Sequence, residues 1–178
     1  MKKFILPILD YYKTRKRVVL KFIAPIIVAG IFLLLSFLIP IDETITPKEI
    51  LSSFISVQVS MIAVFISFSI AIISILVSAD NPNIQKLRET ESKDGSMKML
   101  DDKPLTLFQV LLSNLTYNVF IEVFYLIVLI VFLLLKAVVC DEAIRYFLTF
   151  GVFYIVHILQ VLLETVIQMY HTFWRKPE

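Results

Sequence analysis

The chain has 178 residues, of which 58% are hydrophobic and three are glycine, and its formal net charge is +2. This hydrophobic fraction lies above the range of a soluble domain, and no polar segment is long enough to build a water-soluble core of its own. The composition therefore excludes an ordinary soluble enzyme or binding module, and it predicts a single membrane domain over residues 1–178.

Four long apolar runs follow one another along the chain, at 18–40, 50–78, 107–135 and 144–170. Each can cross a hydrocarbon layer of about 30 Å at about 1.5 Å per residue. We therefore predict an all-α integral membrane protein, a bundle of four transmembrane helices. Residues 1–17 form a leader that mixes basic, aromatic and aliphatic side chains, a composition that suits a segment lying at the headgroup level. Residues 79–106 form the one long polar connector.

Lysine and arginine are distributed unevenly among the segments between these runs. Seven precede or begin the first run, five lie in the connector and two follow the fourth run, whereas only three lie in or beside the other two loops. Fourteen basic residues thus lie in or beside the two terminal segments and the connector, against three in or beside the other two loops. This excess predicts that both termini and the connector are cytoplasmic. The chain should therefore cross the membrane several times.

Two helix starts can be predicted from capping residues. Thr46 before Pro47, with Glu49 three residues after the threonine, forms a capping box for the second run. Thr106 and Gln109 form the same pattern before the third run. Because the first turn is then only a few residues long, we expect the first two spans to be antiparallel neighbours.

Small residues recur every three or four positions along the second span: Ser53, Ser56, Ser60, Ala63, Ser67, Ala71, Ser74 and Ser78. This spacing places them on one helix face. In lipid, such a face allows another helix backbone to approach closely, so Ser56, Ser60, Ser67 and Ser74 are candidate helix-packing residues. A wall of a water-filled path is the alternative.

Polar residues form a second stripe along the otherwise apolar fourth span: His157, Gln160, Glu164, Gln168 and His171. The third span carries a shorter counterpart with a spacing of four: Asn114, Asn118 and Glu122. A carboxylate in hydrocarbon costs at least about 2.5 kcal/mol on insertion scales. Both glutamates should therefore face protein or water rather than acyl chains.

Three interpretations of these stripes remain open. The first is a structural network in which the glutamates are protonated or meet Lys21, and which fixes helices or subunits in register. The second is an oligomeric ion or proton channel lined by Asn118, Glu122, His157, Gln160, Glu164 and Gln168. The third is catalysis, which is disfavoured because His157 and His171 are about 21 Å apart along one helix. No catalytic, metal or cofactor motif is present.

The connector predicts a short helix from Pro82 to about Glu91. Its basic residues Lys86 and Arg88 are candidates for docking a cytosolic protein partner, and a solvated connector without a partner is the alternative. The basic tail after the fourth span is too short to offer many phosphate contacts, so we expect no direct binding of nucleic acid.

The chain resembles the small four-span proteins of bacterial anti-phage defence loci, such as the membrane subunit of the Kiwa system and the multispanning accessory proteins of some type VI CRISPR systems. The resemblance rests on the basic leader, the serine-rich second span ending at 78–83, the helix with Lys86 and Arg88, and the stripe from Asn118 to Glu122. It implies an oligomer of the bacterial inner membrane that senses infection or membrane disturbance and recruits a cytosolic effector, or that acts as a pore. We expect the protein to be non-enzymatic.

Overall fold

The computed structural model describes residues 8–13, 15, 18–38, 46–78, 82–92 and 104–174. Helices dominate these ranges, which contain no strand; an isolated antiparallel bridge joins Glu91 and Thr106. In chain order the helices are α1 (8–13), α2 (Leu20–Leu38), α3 (Pro47–Ser78), α4 (Pro82–Glu89), α5 (Leu107–Leu135) and α6 (Asp141–Trp174). Four of them, α2, α3, α5 and α6, are long and apolar enough to cross a membrane. The chain is thus an all-helical, multi-pass membrane protein.

The capping residues set the starts of two spans. Thr46 Oγ1 accepts from Glu49 N at 3.3 Å while Glu49 Oε2 accepts from Thr46 N at 3.1 Å, so α3 begins at Pro47, as the capping residues predict, three residues before the apolar run. Thr106 and Gln109 make the same reciprocal pair, and α5 begins at Leu107, as predicted. Both predicted capping boxes are confirmed.

The other bounds differ from the sequence prediction in ways that local chemistry explains. Helix α6 begins at Asp141 rather than 144, because Asp141 and Glu142 in its first turn suit the positive end of the helix dipole. It continues beyond 170 to Trp174. The short helix α4 ends at Glu89, two residues early, because the chain then extends so that Ser92 N donates to Leu105 O.

The spans pack in the order α2, α6, α5, α3, with a lesser contact between α3 and α6. The prediction that the first two spans are neighbours is therefore wrong. The reason lies in the partners of α2 on α6: Lys21 contacts Glu164, and Phe22 stacks on His157 with ring centroids 4.8 Å apart. A short connection limits the distance between two helix ends but does not make the helices pack together.

Two apolar clusters hold the bundle together. The larger joins α3, α5 and α6 around Leu51, Ile62, Tyr125 and Ile158, each almost fully buried. The second joins the end of α3, helix α4 and the start of α5. We call the end of the bundle with this second cluster the leader end, because α1 also lies there.

Candidate functional site

The polar residues of α5 and α6 face one another inside a single chain. Asn114, Asn118, Glu122 and His157 are at most 2% exposed. Burial of this kind requires partners, because an unpaired polar group in an apolar interior costs several kcal/mol. These residues form two groups. One is a charged cluster around Glu164 near the leader end, and the other is a cluster around Glu122 deeper in the bundle.

Glu164 is the centre of the charged cluster. Its Oε1 accepts from a guanidinium nitrogen of Arg15 at 2.7 Å, and its Oε2 accepts from Lys21 Nζ. Arg15 is only 4% exposed, whereas Glu164 is 27% exposed. A single carboxylate on α6 thus forms ion pairs with one cation from the leader and one from the first turn of α2.

Two amides complete the surroundings of this carboxylate. The second terminal nitrogen of Arg15 donates to Asn114 Oδ1. Asn114 Nδ2 in turn donates to Gln168 Oε1 at 2.7 Å, and Gln168 Nε2 donates to Glu164 Oε1 at 3.5 Å. The four side chains form a closed ring of hydrogen bonds that joins the leader, α5 and α6. Charge-assisted bonds of this type are about twice as strong as neutral ones.

Aromatic stacking adds an apolar part to the leader contact. The ring of Tyr11 lies parallel to that of Tyr117 at a centroid distance of 3.6 Å, and the Arg15 guanidinium lies 4.5 Å above the Tyr11 centroid. Tyr11 is 1% exposed, and this burial raises the pKa of its phenol, an effect that nearby Arg15 partly offsets. The expected position of the leader at the headgroup level stays a prediction, to which the structure adds that Tyr11 and Arg15 are buried against the bundle.

A chain of hydrogen bonds leads from the leader towards the middle of the bundle. The hydroxyl groups of Tyr12 and Tyr117 lie 3.1 Å apart, and the Tyr117 hydroxyl lies 3.1 Å from His157 Nε2. The other ring nitrogen, Nδ1 of His157, has no hydrogen-bond partner among the described residues. His157 is therefore linked to the leader through Tyr117 and Tyr12, at a position deeper in the bundle than Glu164.

Glu122 occupies the deeper cluster with two uncharged partners. Asn118 Nδ2 donates to Glu122 Oε1 at 2.6 Å, and Ser69 Oγ on α3 donates to the same oxygen at 3.4 Å. All three residues are fully buried. No basic side chain within the described ranges forms an ion pair with Glu122, in contrast to Glu164.

The other two predicted residues of the polar stripe, Gln160 and His171, are not part of either cluster described above. Gln160 is half-buried, and its Oε1 finds no partner in the part of the chain that the structure describes. His171 lies in the last turns of α6, with a side chain outside the described set. Within the described residues, no group of three His, Cys, Asp or Glu side chains could hold a metal ion.

The small-residue stripe of α3 faces away from the rest of the chain. All eight members are exposed, and at 3.6 residues per turn they lie opposite the buried face of α3, which includes Leu51, Ile62 and Leu76. Several of the stripe's hydroxyl groups bond back to their own helix, as Ser60 does to Ser56 O and Ser67 to Ala63 O. The stripe does not form a packing seam between helices of one chain.

Two serines of α3 lie off this stripe, and both bond to α5. Ser69 donates to Glu122, and Ser52 accepts from Lys136 Nζ at 2.9 Å. The distinction follows from position: a serine on the outer face of α3 has only its own helix to bond, whereas one on the inner face can bond a neighbour.

The two candidate docking residues of α4 differ in their surroundings. Arg88 lies over the Phe108 ring at 5.0 Å and is 3.5 Å from Val77 O, so it contributes to holding α4 against α3 and α5. Ile84, one turn before Arg88, and Leu87 are buried against the same helices. Lys86 is exposed. Of the two, Lys86 is the better placed to contact another molecule.

Comparisons with family models, with curated proteins and with solved structures found no match.

Four residues of the site were not singled out as site residues from the sequence: Tyr11, Tyr12, Arg15 and Ser69. The leader residues belong to a mixture of aromatic and basic side chains, which is equally typical of an interfacial segment. Ser69 did carry a signal, because it breaks the three-and-four spacing of the small residues around it.

Proposed function

We propose that this chain is a non-enzymatic subunit of the bacterial inner membrane that acts as a sensor or anchor and couples to a cytosolic protein. Such a protein needs cytosolic segments whose position depends on the packing of its membrane helices. The observation that supports this function most strongly is the pairing of Arg15 with Glu164. A rearrangement of α6 that moves Glu164 would release the leader.

Helix α4 provides the second point of coupling. It rests on the end of α3 and the start of α5 through Ile84 and Leu87, and it presents Lys86 to solvent. The leader and α4 therefore lie on the same end of the bundle, and both contact α5. A partner that binds α4 through Lys86 would respond to the same helices that hold the leader.

Self-association forms part of the proposal. The outward stripe of small residues on α3 offers the close backbone approach that favours helix pairing in lipid, where apolar burial alone does not drive association. The polar stripe of α6 is occupied within the chain by the leader, α2 and α5. The proposed contact between copies therefore uses α3 rather than α6.

The cytoplasmic placement of the leader end follows from the excess of lysine and arginine in the segments found there. The anti-phage setting of the proposed function depends on the resemblance to defence-associated four-span proteins alone.

An oligomeric channel is the other function that the sequence predicts, and this geometry does not favour it. Of its predicted lining residues, Asn118, Glu122 and His157 are at most 2% exposed within one chain. They would reach a pore between subunits only if α5 and α6 separated. Glu164, the predicted ring of charge, is already neutralised by Arg15 and Lys21.

Reconstitution in liposomes distinguishes the two functions. We expect no ion or proton flux between about pH 5 and 8, the range in which histidine titrates, together with an oligomeric mass in the same preparation. Flux that disappears in Glu164→Gln would contradict the sensor or anchor function and establish the channel. A Lys86→Glu variant that folds and assembles normally but loses cellular function would support docking through α4.

A further inference from the structure

Two buried oxygen atoms in the Glu122 cluster have no hydrogen-bond partner among the described residues. They are Glu122 Oε2 and Asn118 Oδ1. Both residues are 0% exposed, so bulk water does not reach these atoms. An unpaired buried acceptor destabilises the folded state, and two side by side do so more.

The two unpaired atoms belong to side chains that already share a hydrogen bond. Asn118 Nδ2 donates to Glu122 Oε1 at 2.6 Å. A carboxyl group carries its two oxygens on one carbon, and a primary amide carries its oxygen and nitrogen in the same way. Once Asn118 Nδ2 is bonded to Glu122 Oε1, rotation about the last side-chain bond of each residue is enough to bring Glu122 Oε2 opposite Asn118 Oδ1. A single hydrogen placed between them satisfies both atoms.

A metal ion is a poorer occupant of this position than a proton. A hard cation requires six or more oxygen ligands, whereas Glu122, Asn118 and Ser69 together offer four oxygens. Asn118 also directs an N–H group at Glu122 Oε1, where a cation would have to bind. A proton needs no additional space, and it converts two acceptors into a donor and an acceptor.

We propose that Glu122 is a proton-binding site in the membrane interior, at which the carboxylic acid and the Asn118 amide form a cyclic pair. Glu122 Oε2–H donates to Asn118 Oδ1, and Asn118 Nδ2–H donates to Glu122 Oε1. Ser69 adds a third bond from α3 to the same acid. The site goes beyond the proposed sensor function, since it does not involve the leader.

The charged and titratable groups of the surrounding elements are engaged elsewhere. Glu164 pairs with Arg15 of the leader and Lys21 of α2, while other bonds join His157 to Tyr117 and Tyr125 Oη to Gly151 O at 3.2 Å. Loss of the proton would leave a carboxylate without a counter-charge between α3 and α5. Uptake and release of this proton therefore couple to the packing of α3 against α5.

Infrared spectroscopy of the full-length protein at neutral pH, in a detergent that contains no ester or carboxyl group, tests the site. A protonated carboxyl group has a carbonyl band at higher wavenumber than amide and carboxylate bands. We expect this band in the wild type, its loss in Glu122→Gln and its retention in Glu164→Gln, whose carboxylate is ion-paired. Glutamine reproduces both bonds to Asn118 with an uncharged group, so Glu122→Gln should fold.

A second variant keeps the test independent of how Glu122→Gln folds. In Asn118→Ala the carbonyl oxygen Glu122 Oε1 loses its closest donor, so the band should move to higher wavenumber while remaining present. Absence of the band from the wild type, or its persistence in Glu122→Gln, would overturn the proposal. A band that disappears on addition of sodium would also overturn it, since it would show that a metal ion displaces the proton.

Discussion

Glu164 and Glu122 are both glutamates on membrane helices, but different groups surround them. Two cations contact Glu164, whereas an amide and a hydroxyl contact Glu122. Removing the charge of Glu164 leaves Arg15, 4% exposed, without its counter-charge. Breaking one partner of a buried ion pair costs about 3–5 kcal/mol.

The two glutamate-to-glutamine variants should therefore differ in stability. We expect Glu164→Gln to lower the thermal unfolding midpoint clearly. Glu122→Gln should leave the midpoint almost unchanged and the free energy of unfolding within about 1 kcal/mol of the wild type, because glutamine preserves the bonds of Glu122. Thermal unfolding of the purified protein in one detergent measures both. Equal effects of the two substitutions would contradict the assigned surroundings.

Gly151 marks the closest approach of α6 to its neighbours. A Cβ atom at this position would lie 2.5 Å from the Phe54 ring and 3.0 Å from the Tyr125 hydroxyl oxygen. Because Tyr125 is fully buried, the added methyl group forces Phe54 to move. We expect Gly151→Ala to destabilise the protein by about 1–3 kcal/mol, which is typical of overpacking.

Gly30 provides the matched control for this substitution. It lies on α2, and nothing is found within 4 Å of its Cβ position. Gly30→Ala should be neutral or slightly stabilising, since alanine favours a helix by about 1 kcal/mol over glycine. If both alanine variants unfold at the wild-type temperature, the close packing at Gly151 is refuted.

At the scale of single elements, α4 is a short helix that its buried residues Ile84 and Leu87 hold against α3 and α5. Leu87 is 2% exposed against α3 and α5, and truncation of such a residue costs about 2–5 kcal/mol of local packing. Leu87→Ala should increase amide hydrogen exchange in residues 84–92, while Glu89→Ala on the exposed side should not. Unchanged exchange in Leu87→Ala would show that α4 is held by other contacts.

The outward face of α3 makes a separate prediction about association. A bulky side chain at Ser67, in the middle of the exposed small-residue stripe, should prevent close approach of a second copy. We expect Ser67→Phe to reduce the mass of the detergent-solubilised assembly, whereas Ile27→Phe on exposed α2 should leave it unchanged. Mass photometry or multi-angle light scattering measures this. A wild-type mass in Ser67→Phe would exclude this stripe as the contact.

Helix bounds were the part of the fold that the sequence predicted best. The capping residues Thr106 and Gln109 are local signals, so they gave the start of α5 correctly. The partners of each helix were not predictable in the same way. Periodicity identifies a face but not what it contacts. The stripe of α3 points outward from its own chain, and its packing against another copy stays a prediction.

The candidate site was predictable only in part for the same physical reason. The stripes of α5 and α6 follow from spacing, and the cost of charge in hydrocarbon indicates that they face protein or water. The involvement of Arg15 and Tyr11 depends on how the leader folds back, and neither residue differs in type from its neighbours. Only the three-dimensional packing distinguishes them from an interfacial segment.

At the scale of the whole molecule, the orientation in the membrane can be tested with the single native cysteine. Cys140 is exposed in the turn between α5 and α6, at the end opposite the leader. A membrane-impermeant maleimide should label Cys140 in intact spheroplasts. In a Cys140→Ser background, Lys86→Cys should be labelled only after the membrane is opened. The reverse pattern would place the leader end outside.

The central claim is that Glu164 holds the leader against the membrane helices, and hydrogen exchange of residues 8–13 in lipid nanodiscs tests it most directly. The account predicts slow exchange in the wild type and in Glu122→Gln, and fast exchange in Glu164→Gln, where Arg15 and Lys21 lose their shared partner. Fast exchange of these residues in the wild type, or equally slow exchange in Glu164→Gln, would contradict it.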